Sequence, residues 1–186
     1  MEDCDIIELY WRRDQQAVSE TAEKYGGFLR GIAWNILRNH GDAEECVNDT
    51  YFRAWNAIPP DRPTAFRAWL GRITRNLALT RYRKNTAGKR GGGQTALALE
   101  ELSECVSGTA CTEEELENRE LAELINRFLE RLPQRQRTIF MRRYWHMASI
   151  GDIARAYGMT ESQVTSQLFR TRKKLRELLV KEGVAL

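Results

Sequence analysis

The stretch GDAEECVNDTYFRAW, Gly41 to Trp55, sets Glu45, Asn48, Asp49 and Phe52 at i, i+3, i+4 and i+7. On a helix those positions share one face, while Ala43, Val47, Thr50 and Ala54 share the other. Two carboxylates, an amide and an aromatic ring on one stripe break no bonds. They suit a basic helical partner, because complementary charge steers the approach and a buried ring anchors it. An acid cluster favouring the helix dipole suffices for Asp42 and Glu44 but accounts poorly for Asp49, two turns in. A second constellation lies near the C-terminus. Glu161, Ser162, Gln163, Thr165, Ser166 and Arg170 fall on the outward face of a helix whose inner positions are Val164, Leu168 and Leu175. Such side chains offer donors and acceptors to base edges, and Arg172, Lys173 and Lys174 follow for phosphates.

Catalytic chemistry has no comparable signal. No Ser-His-Asp or Cys-His set, phosphate loop or metal cluster is visible, so neither an enzyme nor a cofactor is expected. Cys4, Cys46, Cys105 and Cys111 form no CxxC pair, and His40 and His146 keep no metal-ligand spacing with them. The cysteines read as reduced and mostly structural.

The elements that must carry these faces read at a period near 3.6, with no alternating strand run. A helical face runs from Ile6 to Leu37, loosened or broken at Gly26 and Gly27 and ended by Asn39-His40-Gly41. Asp42, with Glu45 three residues on, is the start signal of the next helix, about 42–57. Pro59, Pro60 and Pro63 force a loop, after which a helix spans about 64–85. Residues 86–111, with GKRGGGQT and SECVSGTAC, have the composition of a linker. Thr112 to Glu115 is a capping box opening a helix to about Arg131, and Pro133 starts another with Ile139, Phe140 and Tyr144 inward. Ser149 with Asp152 caps a short helix, Gly158 supplies a turn, and Thr160 with Gln163 caps the long last helix. A short helix with a small inward Ala154, a glycine turn and a capped second helix make a helix-turn-helix pattern. A hairpin of helices with a solvated basic face is the plainer alternative.

The expected fold is therefore all-α, with two small helical domains joined by a flexible linker and the second a helix-turn-helix (winged-helix-like) domain. The expected boundaries are 1–86, 87–112 and 113–186. Charge divides the same way. The formal balance is −6 over 1–61, +9 over 62–99, −8 over 100–123 and +8 over 124–186. Two basic blocks, each with an acidic neighbour, point to two anion-binding surfaces on two modules. No window approaches the roughly 18 apolar residues of a membrane span, so a cytoplasmic protein without membrane insertion is expected.

Four stretches in order carry a family resemblance: DAEECVNDTYFRAW, FRAWLGRITRNLALTRYRK, LERLPQRQRTIFMRRYW and IGDIARAYGMTESQVTSQLFRTRKKL. The chain resembles bacterial extracytoplasmic-function sigma factors, the two-domain group of the sigma-70 family, over roughly residues 17–85 and 113–180. The resemblance implies that the helix bearing Glu45, Asn48, Asp49 and Phe52 docks on the clamp helices of core RNA polymerase. It implies a flap contact for the polymerase as well. It assigns the next helix, with Arg72, Arg75, Asn76, Leu79 and Arg83 approximating one face, to opening and reading the minus-ten promoter element. The Pro-bounded loop from Asp61 through Thr64 to Ala65 matches the family loop that captures a flipped base. Trp55, Phe66, Trp69 and Tyr82 are of a type that stacks on bases, although helical spacing places Trp55 and Trp69 in a core. Ser162, Thr165, Ser166, Phe169, Arg170, Arg172 and Lys173 are assigned to the minus-thirty-five element. Thr165 and Glu161 depart from a common family pattern of a base and a small residue there, which leaves the promoter sequence open. The linker either threads polymerase channels or is a plain tether. Many family members are held inactive by an anti-sigma factor, an expected further partner. The alternative function is a stand-alone helix-turn-helix regulator, to which the Glu45/Asn48/Asp49 face would be useless.

Overall fold

The computed structural model describes residues 1–86, 94–106 and 115–182. It divides into two compact units, Met1–Gly91 and Gly92–Leu186, and among the described residues every regular element is a helix. The first unit holds α1 (Asp3–Trp11), α2 (Gln16–Leu37), α3 (His40–Ala57) and α4 (Phe66–Thr86). Helices α2, α3 and α4 pack mutually, and α1 lies against α2. Phe66 sits at the aromatic centre, edge-on to Tyr10 (6.1 Å) and Tyr25 (5.9 Å), with Leu29, Ile32 and Leu70 buried in the same core. Full burial of each such side chain is worth about 1.5–3 kcal/mol.

Buried hydroxyls join these helices where aliphatic packing would leave their turns unconnected. Thr50 and Thr74 meet at 3.0 Å between α3 and α4, and each donates to the carbonyl four residues back in its own helix or shares its proton across the gap. The Cys46 thiol donates to the Thr74 carbonyl (3.5 Å), and burial pushes its pKa up to about 11, so it is an inert thiol. Cys4 and Cys46 are free; the side chains of Cys105 and Cys111 lie outside the described residues.

Two expected boundaries shift. Helix α2 passes unbroken through Gly26 and Gly27, and a separate α1 ends at Trp11 instead. Gly26 is present for proximity: a Cβ there would lie 3.2 Å from the Tyr51 hydroxyl of α3. Helix α3 starts at His40, three residues after the end of α2. Its cap is Asn39, whose side chain accepts from the Asp42 N–H (3.0 Å), and Asp42 lies inside the first turn.

The second unit holds α5 (Gln94–Val106), α6 (Glu115–Arg131), α7 (Gln134–Tyr144), α8 (Ile150–Tyr157) and α9 (Glu161–Lys181). The helix α5 stands inside the stretch read as linker, and it packs on α7 and α9 with Thr95 and Ala98 buried. The cap expected at Thr112 and the triplet Gly91–Gly93 lie outside the described residues. The helix-turn-helix is α8, a turn and α9. Ser149 accepts from the Asp152 N–H, Gly158 takes the left-handed conformation (φ 60°) that a Cβ disfavours, and Thr160 and Gln163 form a reciprocal capping box. Ile153, Ala154, Val164, Leu168 and Leu175 are buried on the inner face, while Ile150 and Tyr157, expected beside them, are half-buried.

Candidate functional site

Helix α3 buries Ala43, Cys46, Val47, Thr50 and Ala54 against its neighbours, and that phase turns the opposite stripe outward. Glu45, Asn48 and Phe52 are exposed and Asp49 is half-exposed; the Phe52 ring is 69% exposed, a large apolar area to leave in water. The acids are not loose. Arg81, from α4, reaches across and donates through Nη2 to Glu45 Oε1 (2.8 Å) and Asp49 Oδ2 (3.5 Å). Its Nη1 donates to the Asp42 carbonyl (3.3 Å) and lies 3.9 Å from the Asp42 carboxylate. Asn85 adds a bond to Asp42 (3.2 Å). Hydrogen bonding from Arg81 holds Glu45 below the usual carboxylate range, and the same bond raises Arg81 above its ordinary value. One guanidinium among these carboxylates leaves the surface acidic while fixing its geometry.

The residues expected at the minus-ten element are brought together only in part. Arg72, Asn76 and Arg83 are exposed on α4, and Asp61 and Thr64 are exposed on the loop before it. Arg75 is half-buried; desolvation, and then the charge of Arg83, lower its pKa. Leu79, placed on the same face by spacing, is a core residue, because α4 has to pack on both α2 and α3. Asn76 lines a groove of about 480 Å³ between α3 and α4, which it shares with Asp42, Asp49 and Arg81. The loop is anchored by buried Ile58 and by the Asp61 N–H bonded to the Ala57 carbonyl (2.9 Å); Arg62 pairs with Glu8 and lies over the Trp11 ring. Of the aromatic residues, Phe66 belongs to the core and cannot stack on a base. Trp69 stacks on Phe66 and Trp55 lies against Tyr10 beneath Arg13, both half-buried, as is Tyr82.

In the second unit Ser162, Thr165, Ser166, Phe169, Arg170 and Lys173 are all exposed on α9. The first five line an open concavity of about 960 Å³. Its mouth includes Arg135 of α7, which donates to the Tyr157 carbonyl (3.0 Å) and ties α7 to the end of α8. Thr165 bonds back to the Glu161 carbonyl and Arg170 Nε to the Ser166 carbonyl, so both side chains lie along the helix. Arg172 also lines the concavity but is mostly buried, its Nη1 donating to the Tyr144 hydroxyl (2.7 Å) and to Glu101 Oε2 (3.4 Å). Glu101, from α5, accepts from Arg143 Nη2 (3.0 Å) and Nε (3.3 Å) and from the Tyr144 hydroxyl (2.9 Å). Burial, foremost, pushes the Tyr144 phenol far above its ordinary range.

Three side chains that the sequence reading passed over therefore organise both surfaces: Arg81, Arg143 and Glu101. Arg143 carried a signal, since it follows Ile139 by four residues and so lies on the buried face of α7. Arg81 and Glu101 carried none, because their partners come from other helices.

Residues 21–88 match the family described as Sigma-70 region 2, and residues 122–175 match Sigma-70, region 4. The chain is 30% identical over 187 residues to the RNA polymerase sigma factor NccH of Alcaligenes xylosoxydans xylosoxydans, covering 96% of this chain and 97% of that protein. It is 25% identical over 169 residues to the ECF RNA polymerase sigma factor SigW of Bacillus subtilis (strain 168), covering 89% and 90%. Among solved structures, CnrH in complex with the cytosolic domain of CnrY is similar at 25% identity over 96% of this chain and 97% of that one, with a TM-score of 0.43.

Proposed function

Because the chain belongs to the sigma-70 family and is an RNA polymerase sigma factor of the extracytoplasmic-function group, we propose that Glu45, Asn48, Asp49 and Phe52 form its docking surface for core polymerase. The observation that carries this reading is the exposed stripe itself. An unshielded aromatic ring sits beside carboxylates that Arg81 holds in place without neutralising them all. A basic helical partner gains a hydrophobic anchor and charge complementarity from one face, the composition expected of an interface centre and its steering rim. The partner we propose is the clamp helices of the polymerase.

In this reading the first unit also handles the minus-ten element. Arg72, Arg75 and Arg83 hold phosphates, Asn76 offers its amide, and Asp61 and Thr64 line the base-capturing loop; the exposure of all but Arg75 supports it. The second unit reads the minus-thirty-five element with Ser162, Thr165, Ser166, Phe169 and Arg170, flanked by Arg172 and Lys173 for phosphates, and takes the polymerase flap. The concavity along α9, with donors, acceptors and one aromatic ring facing solvent, supports that assignment. The polymerase-directed stripe has no use in a stand-alone regulator, and nothing in the geometry favours one. Among the described residues no helix is long and apolar enough to cross a membrane, and we place the protein with its polymerase in the cytoplasm. An anti-sigma factor, the further partner suggested by the resemblance, would act by covering either surface.

The test is complex formation with bacterial core RNA polymerase by gel filtration, comparing wild type with the Glu45→Lys/Asp49→Lys variant. Wild type is expected to co-elute, and reversed charge on the stripe to abolish it while duplex DNA binding persists. Equal binding by both proteins would move the docking surface elsewhere.

A further inference from the structure

Arg172 stands at a junction. It lines the concavity that α9 presents to DNA, yet its guanidinium is turned toward α5, bonded to Tyr144 and Glu101. A guanidinium stays charged at any pH a protein survives and donates in only a few directions at once. Nη1, which is given to Tyr144 and Glu101, cannot donate to a phosphate while it keeps both of them. Arg143 holds Glu101 by a two-point fork at 3.0 and 3.3 Å and Tyr144 holds it by one bond at 2.9 Å, whereas Arg172 reaches it through Nη1 alone at 3.4 Å and holds the Tyr144 hydroxyl more closely, at 2.7 Å. Arg143 is fully buried and Arg172 is not, so Arg172 is the member that can leave while the rest of the cluster stays closed.

We propose that Glu101 regulates the DNA-reading helix by competing with backbone phosphate for Arg172. The inference rests on the assignment of α9 to promoter DNA and adds to it a control element carried on α5, outside the residues that match either sigma region. A carboxylate held by α5 occupies the place that a DNA phosphate would take, with the same charge sign and the same acceptor chemistry. Arg172 thus joins the DNA contact only when phosphate outcompetes Glu101. Whatever moves α5 away from α7 and α9 raises the affinity of the second unit for DNA.

The test uses the full chain and a random-sequence 20-bp DNA duplex, since a phosphate contact needs no particular promoter. Binding of wild type, Glu101→Gln and Glu101→Gln/Arg172→Gln is measured by fluorescence anisotropy across a series of salt concentrations. Glutamine keeps an oxygen for Arg143 and removes the competing charge. Glu101→Gln is expected to bind about tenfold more tightly, the worth of one charge-assisted hydrogen bond. Its salt slope should steepen by about 0.9, one further phosphate neutralised. The double variant should lose both gains. Equal affinity and slope for wild type and Glu101→Gln would overturn the competition and leave the DNA-binding assignment standing. A gain that survives in the double variant would trace it to general charge removal and equally overturn the proposal. If no protein binds duplex, the assignment of α9 to DNA fails and the proposal with it. Should Glu101→Gln fail to fold, the arginine side-chain N–H signals of wild type are followed by NMR during titration with the same duplex. Arg172 is expected to shift while Arg143 stays. A stationary Arg172 beside shifting α9 amides would overturn the proposal.

Discussion

Among the described residues each unit holds a cluster in which one charged side chain meets several of the opposite sign, and the two clusters, here called clasps, are of opposite polarity. In the first, the Arg81 guanidinium serves the carboxylates of Asp42, Glu45 and Asp49; in the second, the Glu101 carboxylate serves the guanidinium groups of Arg143 and Arg172. Their surroundings differ more than their sign. In the first, Arg81 is 22% exposed and the carboxylates it meets are 32–65% exposed, whereas in the second Glu101 is 16% exposed and Arg143 is fully buried. Exposed pairs are screened by water and salt and contribute about 0–1 kcal/mol, whereas a buried charge that loses its partner costs about 3–5 kcal/mol. The first clasp therefore shapes a surface and leaves it open to a partner. The second holds a helix onto a domain and limits what one of its arginines can do.

The sharpest way to break this contrast is to remove the buried cation. Arg143→Ala leaves Glu101 without its fork and should lower the stability of the second unit by about 3 kcal/mol. Trp145 is the one tryptophan beyond residue 86, so the fluorine signal of fluorotryptophan at that position reports the urea midpoint of this unit alone. Loss of less than about 1 kcal/mol, the range of exposed pairs, would erase the distinction between the clasps.

A smaller effect is expected at the exposed ring that the first clasp frames. Phe52→Ala should weaken core polymerase binding by about 2 kcal/mol, a typical value for an aromatic anchor, with little loss of stability, because Phe52 is mostly exposed in the free protein. Unchanged affinity in a competition assay would mean that the carboxylates alone make the interface.

The same contrast explains what could be read in advance. The helix-turn-helix was legible because each of its signals is local: Ser149 with Asp152, Gly158, and Thr160 with Gln163 act within a few residues, and Val164, Leu168 and Leu175 keep one phase. The outward stripe of α3 was legible for the same reason. Helix α5 was not, since its flanking sequence is rich in glycine and serine and its docking on α7 and α9 is settled by tertiary packing. Leu79 was misplaced because one helix period cannot say which of two neighbouring helices a face must meet. Gly26 was taken for a break when it serves a close approach by Tyr51, a contact made 25 residues away. Both clasps were invisible for a common reason: each joins a residue to partners on another helix, and pairing of that kind is settled by tertiary packing.

The smallest expected effect is the response of the first clasp to acid. Arg81 hydrogen-bonds to Glu45 and lowers its pKa from the ordinary value of 4.5. A carboxyl group whose folded pKa is depressed stabilises the folded state above the unfolded value, and that contribution disappears as pH falls through the folded one. The stabilisation from the clasp should therefore be present above the ordinary value of 4.5 and be lost as pH falls below it through the lowered folded value. Carbon-detected NMR of the Glu45 carboxyl should give a midpoint below the ordinary value in wild type and a return toward it in Arg81→Ala. That variant should cost the first unit little stability, because water screens the Glu45 end of the pair. Its polymerase binding should become more sensitive to salt, because the carboxylates, no longer held in register, contribute through charge alone. An unshifted Glu45 midpoint in wild type would mean that Arg81 and the acids merely lie near one another. The stripe on α3 would then be arranged by its own helix and by nothing on α4.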